Sequence, residues 1–500
     1  MTAQLPGPVV EIAPGRVRGM WRGEPGAAGA SAAFLGIPFA QAPVGDLRFA
    51  APVPPDPWEG IRDALTYGAT AQRGDKGITL IPEPSIPGDS TLNVNVFTPA
   101  PGDRDARLPV LVYIHGGGYM AGSPASPWYD GRAFNRDGIV TVSISYRLGF
   151  DGFGHIQGAP SNRGVRDWIA ALEWVQENIE AFGGDPDRVT IAGQSAGGGA
   201  VLTLLGMPGA QHLFHAVWAL SGALGDIAPE RAWALSARLA ELAGVPPTRE
   251  GFASVTEERL LELQQKASAV DGDPMAGIRA LLDEGLPWGP LIDGDLIPRP
   301  TLTSLRRGIG ADKPLVLGAT DDEFTMITDG AKGKLRFVPP SLVLRKLGLG
   351  RTDRKAYLAA NSESRSKGTA AILGRFMTDK LFRTAVVRIA DIRHAASADS
   401  QTWVYRFSWS SPKMGWAVHC LDVPFWFDCL EADGVAAIAG EAPPQALAAA
   451  VHGAATAFVR DGDPGWTSWA ADLAPSRVFD GDPSTPAVMP NAFASVLALM

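Results

Sequence analysis

A serine between two glycines, at a junction of strand and helix, constrains this chain more than any other feature. Asp185–Gly193 contains a β-branched apolar run, and Ala196–Leu205 is a run of helix-forming residues. Gly193 and Gly197 flank Ser195 in a Gly-x-Ser-x-Gly pattern. A sharp turn there exposes the serine above a parallel sheet. The pattern alone also suits a glycine-rich turn without a chemical role, but its setting makes Ser195 a candidate nucleophile.

Strand-like and helix-like segments alternate around this junction. Continuous apolar runs predict buried strands at Leu108–Gly118 and Gly138–Gly149, and apolar residues at helical spacing predict a helix over Val165–Gly184. The first hundred residues carry shorter runs typical of antiparallel strands, such as Leu92–Pro99. Further strands are predicted at His215–Gly222, Lys313–Thr320 and Gln401–Trp409. We therefore expect an α/β fold, with a mostly parallel sheet and helices on both faces.

Two mainly helical stretches interrupt the later strands, near residues 229–283 and 341–397. We expect them to lie over the carboxyl ends of the strands, where ligands bind in sheets of this kind. No segment has the composition of a linker. The sequence therefore predicts that residues 1–500 form one domain with these two helical insertions.

Charge and composition exclude several classes of partner. The formal net charge is −9 and there is no block of lysine or arginine, so we expect neither nucleic acid nor an anionic membrane as a partner. No apolar stretch reaches about 18 residues, and the amino-terminal residues do not have the pattern of a signal peptide. Cys420 and Cys429 cannot form a disulfide framework. These features predict a soluble protein of a reducing compartment.

A nucleophilic serine needs a base to accept its proton and an acid to orient that base. Of the seven histidines, His419 lies in a loop after a late strand, where the order serine, acid, histidine places the base. Asp321, Asp322 and Glu323 directly follow the strand Lys313–Thr320. Spacing alone leaves the choice among these three carboxylates open.

Attack on an acyl carbon also needs donors for the oxyanion. The strand Leu108–Gly118 ends in His115 and three glycines, which leave backbone N–H groups unshielded. The N–H of Ala196, directly after the serine, is a further candidate donor. The alternative interpretation is a flexible glycine turn, but its place at a strand end upstream of Ser195 favours the oxyanion role.

Taken together, these motifs resemble the type-B carboxylesterases, the group of α/β-hydrolases that includes the cholinesterases. The resemblance covers nearly the whole chain and is strongest in the first two hundred residues. The segments that carry it are Gly15–Gly19, Phe34–Phe49, Leu92–Pro99, Val112–Ser123, Ser145–Gly154, Asn162–Gly198, Ala417–Phe427 and Phe458–Pro464.

The resemblance implies roles for individual residues. It implies that Ser195 is the nucleophile, Glu323 the acid and His419 the base. The sequence departs from the family's usual pattern beside two of these groups. Phe324 follows the acid and Cys420 follows the histidine, both where glycine is frequent. Neither departure removes a catalytic group, and both could reshape the pocket.

The resemblance also implies an oxyanion hole formed by the amides of Gly117, Gly118 and Ala196. Ser221, in the segment His215–Gly222, resembles the family serine that supports the triad from behind. No metal or organic cofactor is implied.

The activity that the resemblance implies is hydrolysis of small-molecule carboxylic esters through an acyl-enzyme. A carbamate, amide or polyester substrate is the alternative, because the same triad serves all of these bonds. A catalytically inactive homologue that binds partners is a further alternative. The early disulfide of secreted family members is absent, which favours a cytoplasmic enzyme of bacterial type. We separately expect a monomer or a small homo-oligomer.

Overall fold

The computed structural model describes residues 7–27, 29–74, 79–270, 274–482, 484–485 and 487–500. Strands occur from Val9 to Met489, with two long helical stretches between the later ones. In chain order they are β1 Val9–Ile12, β2 Gly15–Arg18, β3 Met20–Arg22, β4 Ser31–Pro38, β5 Ile61–Asp63, β6 Asn93–Thr98, β7 Leu108–Ile114, β8 Val140–Ile144, β9 Gly184–Gln194, β10 Ala216–Leu220, β11 Leu315–Thr320, β12 Thr402–Phe407, β13 Ser476–Phe479 and β14 Val488–Met489.

Most of these strands form one sheet, in the order β14-β13-β12-β11-β10-β9-β7-β8-β6-β4-β3. Neighbours from β8 through β13 pair in parallel, whereas β3, β4, β6 and β14 pair antiparallel. A separate small sheet contains β1, β2 and β5. The α/β fold class predicted from the sequence is confirmed, including the antiparallel strands of the first hundred residues.

The helices between the strands are, in chain order, α1 Arg132–Arg136, α2 Gly149–Phe153, α3 Arg163–Asn178, α4 Ala196–Leu205, α5 Pro229–Ala243, α6 Arg249–Ala253, α7 Glu257–Ser268, α8 Pro274–Glu284, α9 Thr301–Arg306, α10 Thr325–Asp329, α11 Lys332–Leu335, α12 Pro340–Lys346, α13 Arg351–Ala360, α14 Ser362–Ser366, α15 Thr369–Thr378, α16 Thr384–Ala396, α17 Val423–Trp426, α18 Val435–Ala439 and α19 Gln445–Asp461. A π-helical turn, Asp379–Arg383, joins α15 to α16. The stretch 229–283 thus contains α5 to α8, and 341–397 contains α12 to α16. Within the described ranges, none of the helices has the length and apolar character needed to cross a bilayer.

The central strands are buried on both faces, which explains their continuous apolar sequences. Along β7, Val110, Val112 and Ile114 pack in one apolar cluster, whereas Leu111 and Tyr113 pack in the cluster on the other side. This alternation follows from the two-residue period of a strand. Helix α3 is shorter than its sequence pattern suggests. It ends at Asn178, and a 3₁₀ turn leads to Gly183, which has a φ of 79°.

The carboxyl ends of four parallel strands place the candidate residues at one edge of the sheet. β7 leads into the glycines after His115, and β9 leads directly into Ser195. β11 ends one residue before Asp321, and the loop after β12 carries His419. Because β7, β9, β11 and β12 run in the same direction, groups that follow them converge.

Candidate active site

Ser195 lies at a sharp turn between β9 and α4, with φ 59° and ψ −120°. The crossing of neighbouring chain segments at this turn requires glycine on both sides. A Cβ on Gly193 would lie 2.4 Å from the carbonyl oxygen of Gly197, and a Cβ on Gly197 would lie 2.0 Å from the carbonyl oxygen of Ile114. The Ser195 amide donates to the Leu220 carbonyl at 2.9 Å, which fixes the turn against β10. The pattern of the sequence thus has a steric cause.

The glycine segment after β7 is anchored by His115. Its Nδ1 lies 2.8 Å from the Gly116 carbonyl oxygen, and its ring stacks on Tyr146 at 4.5 Å. The Tyr146 hydroxyl donates to the His115 carbonyl at 2.9 Å. Burial lowers the pKa of His115 to about 4, so this imidazole is neutral near pH 7. We interpret His115 as an uncharged support for the loop.

Two of the three predicted oxyanion donors line the same cavity as Ser195. Gly117 and Gly118 have φ values of 108° and 63°, and both line the cavity. Within the described residues, neither of their amides donates a hydrogen bond, so both are free to meet a ligand. Ala196 is the first residue of α4, where helical N–H groups have no intrahelical acceptor.

His419 and Glu323 are in direct contact. The Nδ1 atom of His419 donates to Oε2 of Glu323, and the His419 amide donates to the Glu323 carbonyl at 3.0 Å. The other carboxylate oxygen accepts from the Thr320 amide at 2.8 Å. Glu323 is fully buried. Backbone and side chain therefore both lock the carboxylate to the imidazole.

The surroundings of His419 favour its protonated form. Burial lowers the pKa of the imidazole, but the carboxylate of Glu323 raises it well above its ordinary value. Burial raises the pKa of the Cys420 thiol, which leaves it neutral near pH 7. Burial and the nearby Glu323 raise the pKa of Asp422 to about 7. The Tyr405 hydroxyl donates to that carboxyl group at 2.9 Å.

The other two carboxylates of the acidic loop face arginines instead of the imidazole. Asp321 accepts from Nε of Arg406 at 2.6 Å. Asp322 lies 3.8 Å from a guanidinium nitrogen of Arg375. Their charges are therefore engaged in an ion cluster behind the loop. The structure thus brings one carboxylate, Glu323, to His419.

A cavity of about 350 Å³ opens in front of these groups, and both Ser195 and His419 line it. Nε2 of His419 lies 3.2 Å from the side-chain amide nitrogen of Gln194. In the described part of the chain, no hydrogen bond engages the Ser195 hydroxyl. The remaining wall is mainly apolar, with Leu224, Leu281, Leu286, Phe324, Leu381 and Phe382.

Sequence reasoning missed Gln194 and Phe382. Gln194 precedes the candidate nucleophile, and that adjacency was the available signal. Phe382 packs on the His419 ring at 5.0 Å, and nothing in its local sequence marks that contact. Ser221 lies at the end of β10, fully buried, and its hydroxyl has no hydrogen-bond partner among the described residues. Its supporting role stays a prediction.

Comparison with known proteins identifies the family. The model of the carboxylesterase family matches residues 6–473. This chain belongs to the carboxylesterase family. It is therefore an enzyme that hydrolyses carboxylic esters.

Among its relatives, para-nitrobenzyl esterase of Bacillus subtilis is 32% identical over 480 residues, covering 90% of this chain and 91% of the relative. Liver carboxylesterase 1 of Oryctolagus cuniculus is 32% identical over 449 residues, covering 80% of this chain and 75% of the relative. Among solved structures, carboxylesterase EST55 of Geobacillus stearothermophilus at pH 6.2 has a TM-score of 0.80 and 32% identity, covering 98% of both chains. The carboxylesterase thus matches its relatives over most of their length.

Proposed function

We propose that this carboxylesterase works through an acyl-enzyme on Ser195, with His419 as the base and Glu323 as the acid. One observation carries the proposal. His419 meets the buried carboxylate of Glu323 through Nδ1, while its Nε2 lies beside the Gln194 side chain at the cavity that Ser195 also lines. A nucleophile, a base and an orienting acid in that relation are the parts that acyl transfer requires.

The reaction has two steps. The Ser195 hydroxyl attacks the ester carbonyl while His419 takes its proton, and the imidazolium then protonates the leaving alcohol. In the second step His419 takes a proton from water, which attacks the acyl-enzyme and releases the acid. Glu323 holds the imidazole tautomer and stabilises its charged form. The amides of Gly117 and Ala196 meet the oxyanion in both steps.

The amide of Gly118 is the third proposed donor of the oxyanion hole. Such donors act on charge that develops only in the transition state, so removing one costs about 3–4 kcal/mol in the activation barrier. The open backbone around Gly118 supports this role. An ideal Cβ there would meet only the end of the Leu286 side chain, at 3.9 Å.

The apolar wall supports small, uncharged esters as substrates. Leucine and phenylalanine side chains dominate the lining, and a cavity of about 350 Å³ has room for a compact ester. We further propose that the enzyme acts in the cytoplasm, because Cys420 and Cys429 are both buried and free. We propose a monomer or a small homo-oligomer as the working form.

The test combines two variants with a matched control. Ser195→Ala and His419→Gln are each expected to lower kcat on 4-nitrophenyl acetate by about 10⁴-fold or more. His452→Gln is the control, because His452 is also buried and also has both ring nitrogens engaged, with Trp426 and Asp137. It should lose stability and keep kcat. Full turnover by folded Ser195→Ala would overturn the proposal.

The preferred bond is tested by a panel in which acyl and leaving groups vary separately. Short and long acyl esters, aryl carbamates, anilides and a soluble polyester oligomer are compared by kcat/KM. We expect the esters with short and medium acyl chains to have the highest kcat/KM. A higher kcat/KM for carbamates, anilides or the polyester would contradict the ester assignment while leaving the role of Ser195 intact.

A further inference from the structure

The wall of the cavity beside His419 contains an unusual piece of backbone. Helix α15 does not continue directly into α16, since Asp379–Arg383 forms a π-helical turn between them. Such turns are rare and occur frequently at functional sites. This one places the side chains of Leu381 and Phe382 on the cavity wall.

Phe382 packs directly on the base of the proposed triad. Its ring centroid lies 5.0 Å from that of His419, and Phe324 contacts the same imidazole at 5.3 Å. The two phenylalanine rings also meet edge to face at 5.2 Å. Two phenylalanine side chains from different elements therefore contact one imidazole.

The orientation of that imidazole matters because two groups lie near its Nε2. In the structure Nε2 lies 3.2 Å from the side-chain amide nitrogen of Gln194, and Ser195 is the next residue along the chain. The bond from Nδ1 to Glu323 fixes one atom of the ring but leaves it able to rock about that bond. The rings of Phe324 and Phe382 contact the imidazole and leave it less room for that motion.

Buried charges hold the π-helical turn in place. The Asp379 carboxylate is fully buried and accepts from the Tyr357 hydroxyl at 2.7 Å and from Arg383 at 2.8 Å. A guanidinium nitrogen of Arg383 lies 3.9 Å from Asp321, two residues before Glu323. One ion cluster thus ties together the turn that carries Phe382 and the loop that carries the acid.

We propose that Phe382, presented by the π-helical turn, is a positioning residue that holds the His419 imidazole at the cavity wall, within reach of both Gln194 and Ser195. The inference rests on the proposed function, because it concerns the base of that reaction. The buried pair of Asp379 and Arg383 holds the π-helical turn, and the turn holds the Phe382 ring against His419.

The primary test is Phe382→Leu, which keeps an apolar side chain but removes the flat ring. With 4-nitrophenyl acetate, kcat is expected to fall by about 10- to 100-fold while KM stays within about twofold, since misplacing a catalytic group affects the chemical step. Water admitted beside the ring stabilises the imidazolium, so the acid limb of kcat moves to higher pH. The titratable groups facing His419, which are Glu323, Cys420 and Asp422, are unchanged in this variant.

Phe458→Leu is the matched control. Phe458 is equally buried, but it packs on Trp218 and Trp403 and does not line the cavity. It should lower the Tm by a similar amount and leave both kcat and the pH profile unchanged. If Phe382→Leu shows only the Tm loss of this control, the positioning role is contradicted.

Tyr357→Phe tests the positioning role of Phe382 through the anchor of the π-helical turn. It is the deciding variant if Phe382→Leu does not fold. This variant removes only the hydroxyl that Asp379 accepts, from a residue outside the cavity lining. We expect kcat to fall by about threefold or more, with the same upward shift of the acid limb. An unchanged kcat and pH profile would overturn the inference.

Reaction with a fluorophosphonate distinguishes failure of the proposed function from failure of the positioning role of Phe382. If the wild-type enzyme is not labelled on Ser195, the proposed function itself fails. If the wild-type enzyme is labelled and folded Phe382→Leu reacts at the same rate, the proposed function stands and the positioning role fails. A slower reaction of Phe382→Leu, with Phe458→Leu at the wild-type rate, supports both.

Discussion

Ser195 holds a backbone conformation that residues with a Cβ rarely adopt. With φ at 59° and ψ at −120°, it lies in a region that glycine enters at no steric cost. Strain of this kind costs about 1–3 kcal/mol and persists where the surrounding structure enforces it. Here the crossings of Gly193 and Gly197 with their neighbours enforce it. The serine hydroxyl is exposed to the cavity at the expense of stability.

We therefore predict that Ser195→Gly raises the free energy of unfolding by about 1 kcal/mol relative to Ser195→Ala, since strain relief exceeds the entropy cost of a glycine. Both variants should lack esterase activity. Urea unfolding of the two variants measures the difference. A Ser195→Gly variant less stable than Ser195→Ala would show that the turn is not strained.

The pH dependence of kcat/KM follows from His419. The carboxylate of Glu323 raises its pKa above the ordinary value of 6.5, although burial alone would lower it, and a protonated imidazole cannot accept the Ser195 proton. Activity should fall as the pH decreases through that raised pKa, with the midpoint above pH 6.5. A pH profile that stays flat down to about pH 5 would contradict a histidine base.

Two variants identify the group whose protonation causes this fall of kcat/KM at low pH. Glu323→Gln removes the carboxylate that favours the imidazolium, so it should move the midpoint to lower pH and also lower kcat. Asp422 has a pKa of about 7 and could titrate in the same range. Asp422→Asn should therefore leave the midpoint of the low-pH fall in activity unchanged. If this variant instead abolished the fall, the titration would belong to Asp422 and not to His419.

At the scale of elements, the glycine segment after β7 is specified by crowding as well as by its φ values. A Cβ on Gly117 would lie 2.2 Å from the Ala121 carbonyl oxygen, so the segment must move to accept a side chain. Movement there displaces the amides proposed for the oxyanion hole.

We predict that Gly117→Ala lowers kcat by about 10²–10³-fold with little change in KM, because oxyanion donors act mainly on the transition state. Gly138→Ala is the control. Gly138 also has a positive φ, 77°, but a Cβ there meets no atom within 4 Å and the residue is outside the cavity lining. Steady-state kinetics of both variants decides the matter, and equal kcat values would contradict the prediction.

The regular elements could be predicted because their local sequence determines them. The continuous apolar runs of β7, β9 and β11 occur where the strands are buried on both faces, and α4 spans the predicted Ala196–Leu205. The π-helical turn Asp379–Arg383 could not be predicted this way. Its sequence suits an ordinary helix, and its anchors come from Tyr357 and Asp321, far along the chain.

The same limit applies to the site. The order of serine, acid and histidine pointed to His419, but spacing did not choose among Asp321, Asp322 and Glu323. The choice depends on where β11 ends relative to the loop of His419 and on which carboxylates meet arginines. Those are properties of the assembled sheet. The family resemblance implied Glu323, and the structure places it at the imidazole.

At the scale of the whole molecule, the ion cluster around Asp321 links the sheet to the helical segment that contains α12 to α16. Burial alone would raise the pKa of this carboxyl group, but neighbouring arginines hold it well below its usual range. They are Arg406 on β12, Arg383 in the π-helical turn and Arg375 on α15. Because the folded-state pKa is depressed, this stabilisation is present above the unfolded pKa and is lost as the pH falls below it.

Asp321→Asn is therefore expected to lower the free energy of unfolding near pH 7 by about 3–5 kcal/mol, since it removes the buried carboxylate that pairs with Arg406 and that Arg375 and Arg383 also approach. The difference from the wild-type enzyme should narrow as the pH falls below about 4. Asp63→Asn is the control, because its exposed pair with Arg18 contributes at most about 1 kcal/mol. Thermal unfolding across pH tests this, and a difference that does not narrow would contradict the linkage.

The central claim is that His419 activates the Ser195 hydroxyl as a nucleophile, and covalent labelling tests it most directly. The enzyme is reacted with a fluorophosphonate, and the modified peptide is mapped by mass spectrometry. We predict a single adduct on Ser195, forming about 10³-fold or more slowly in folded His419→Gln. An adduct on another residue, or equal labelling rates with and without His419, would contradict the account.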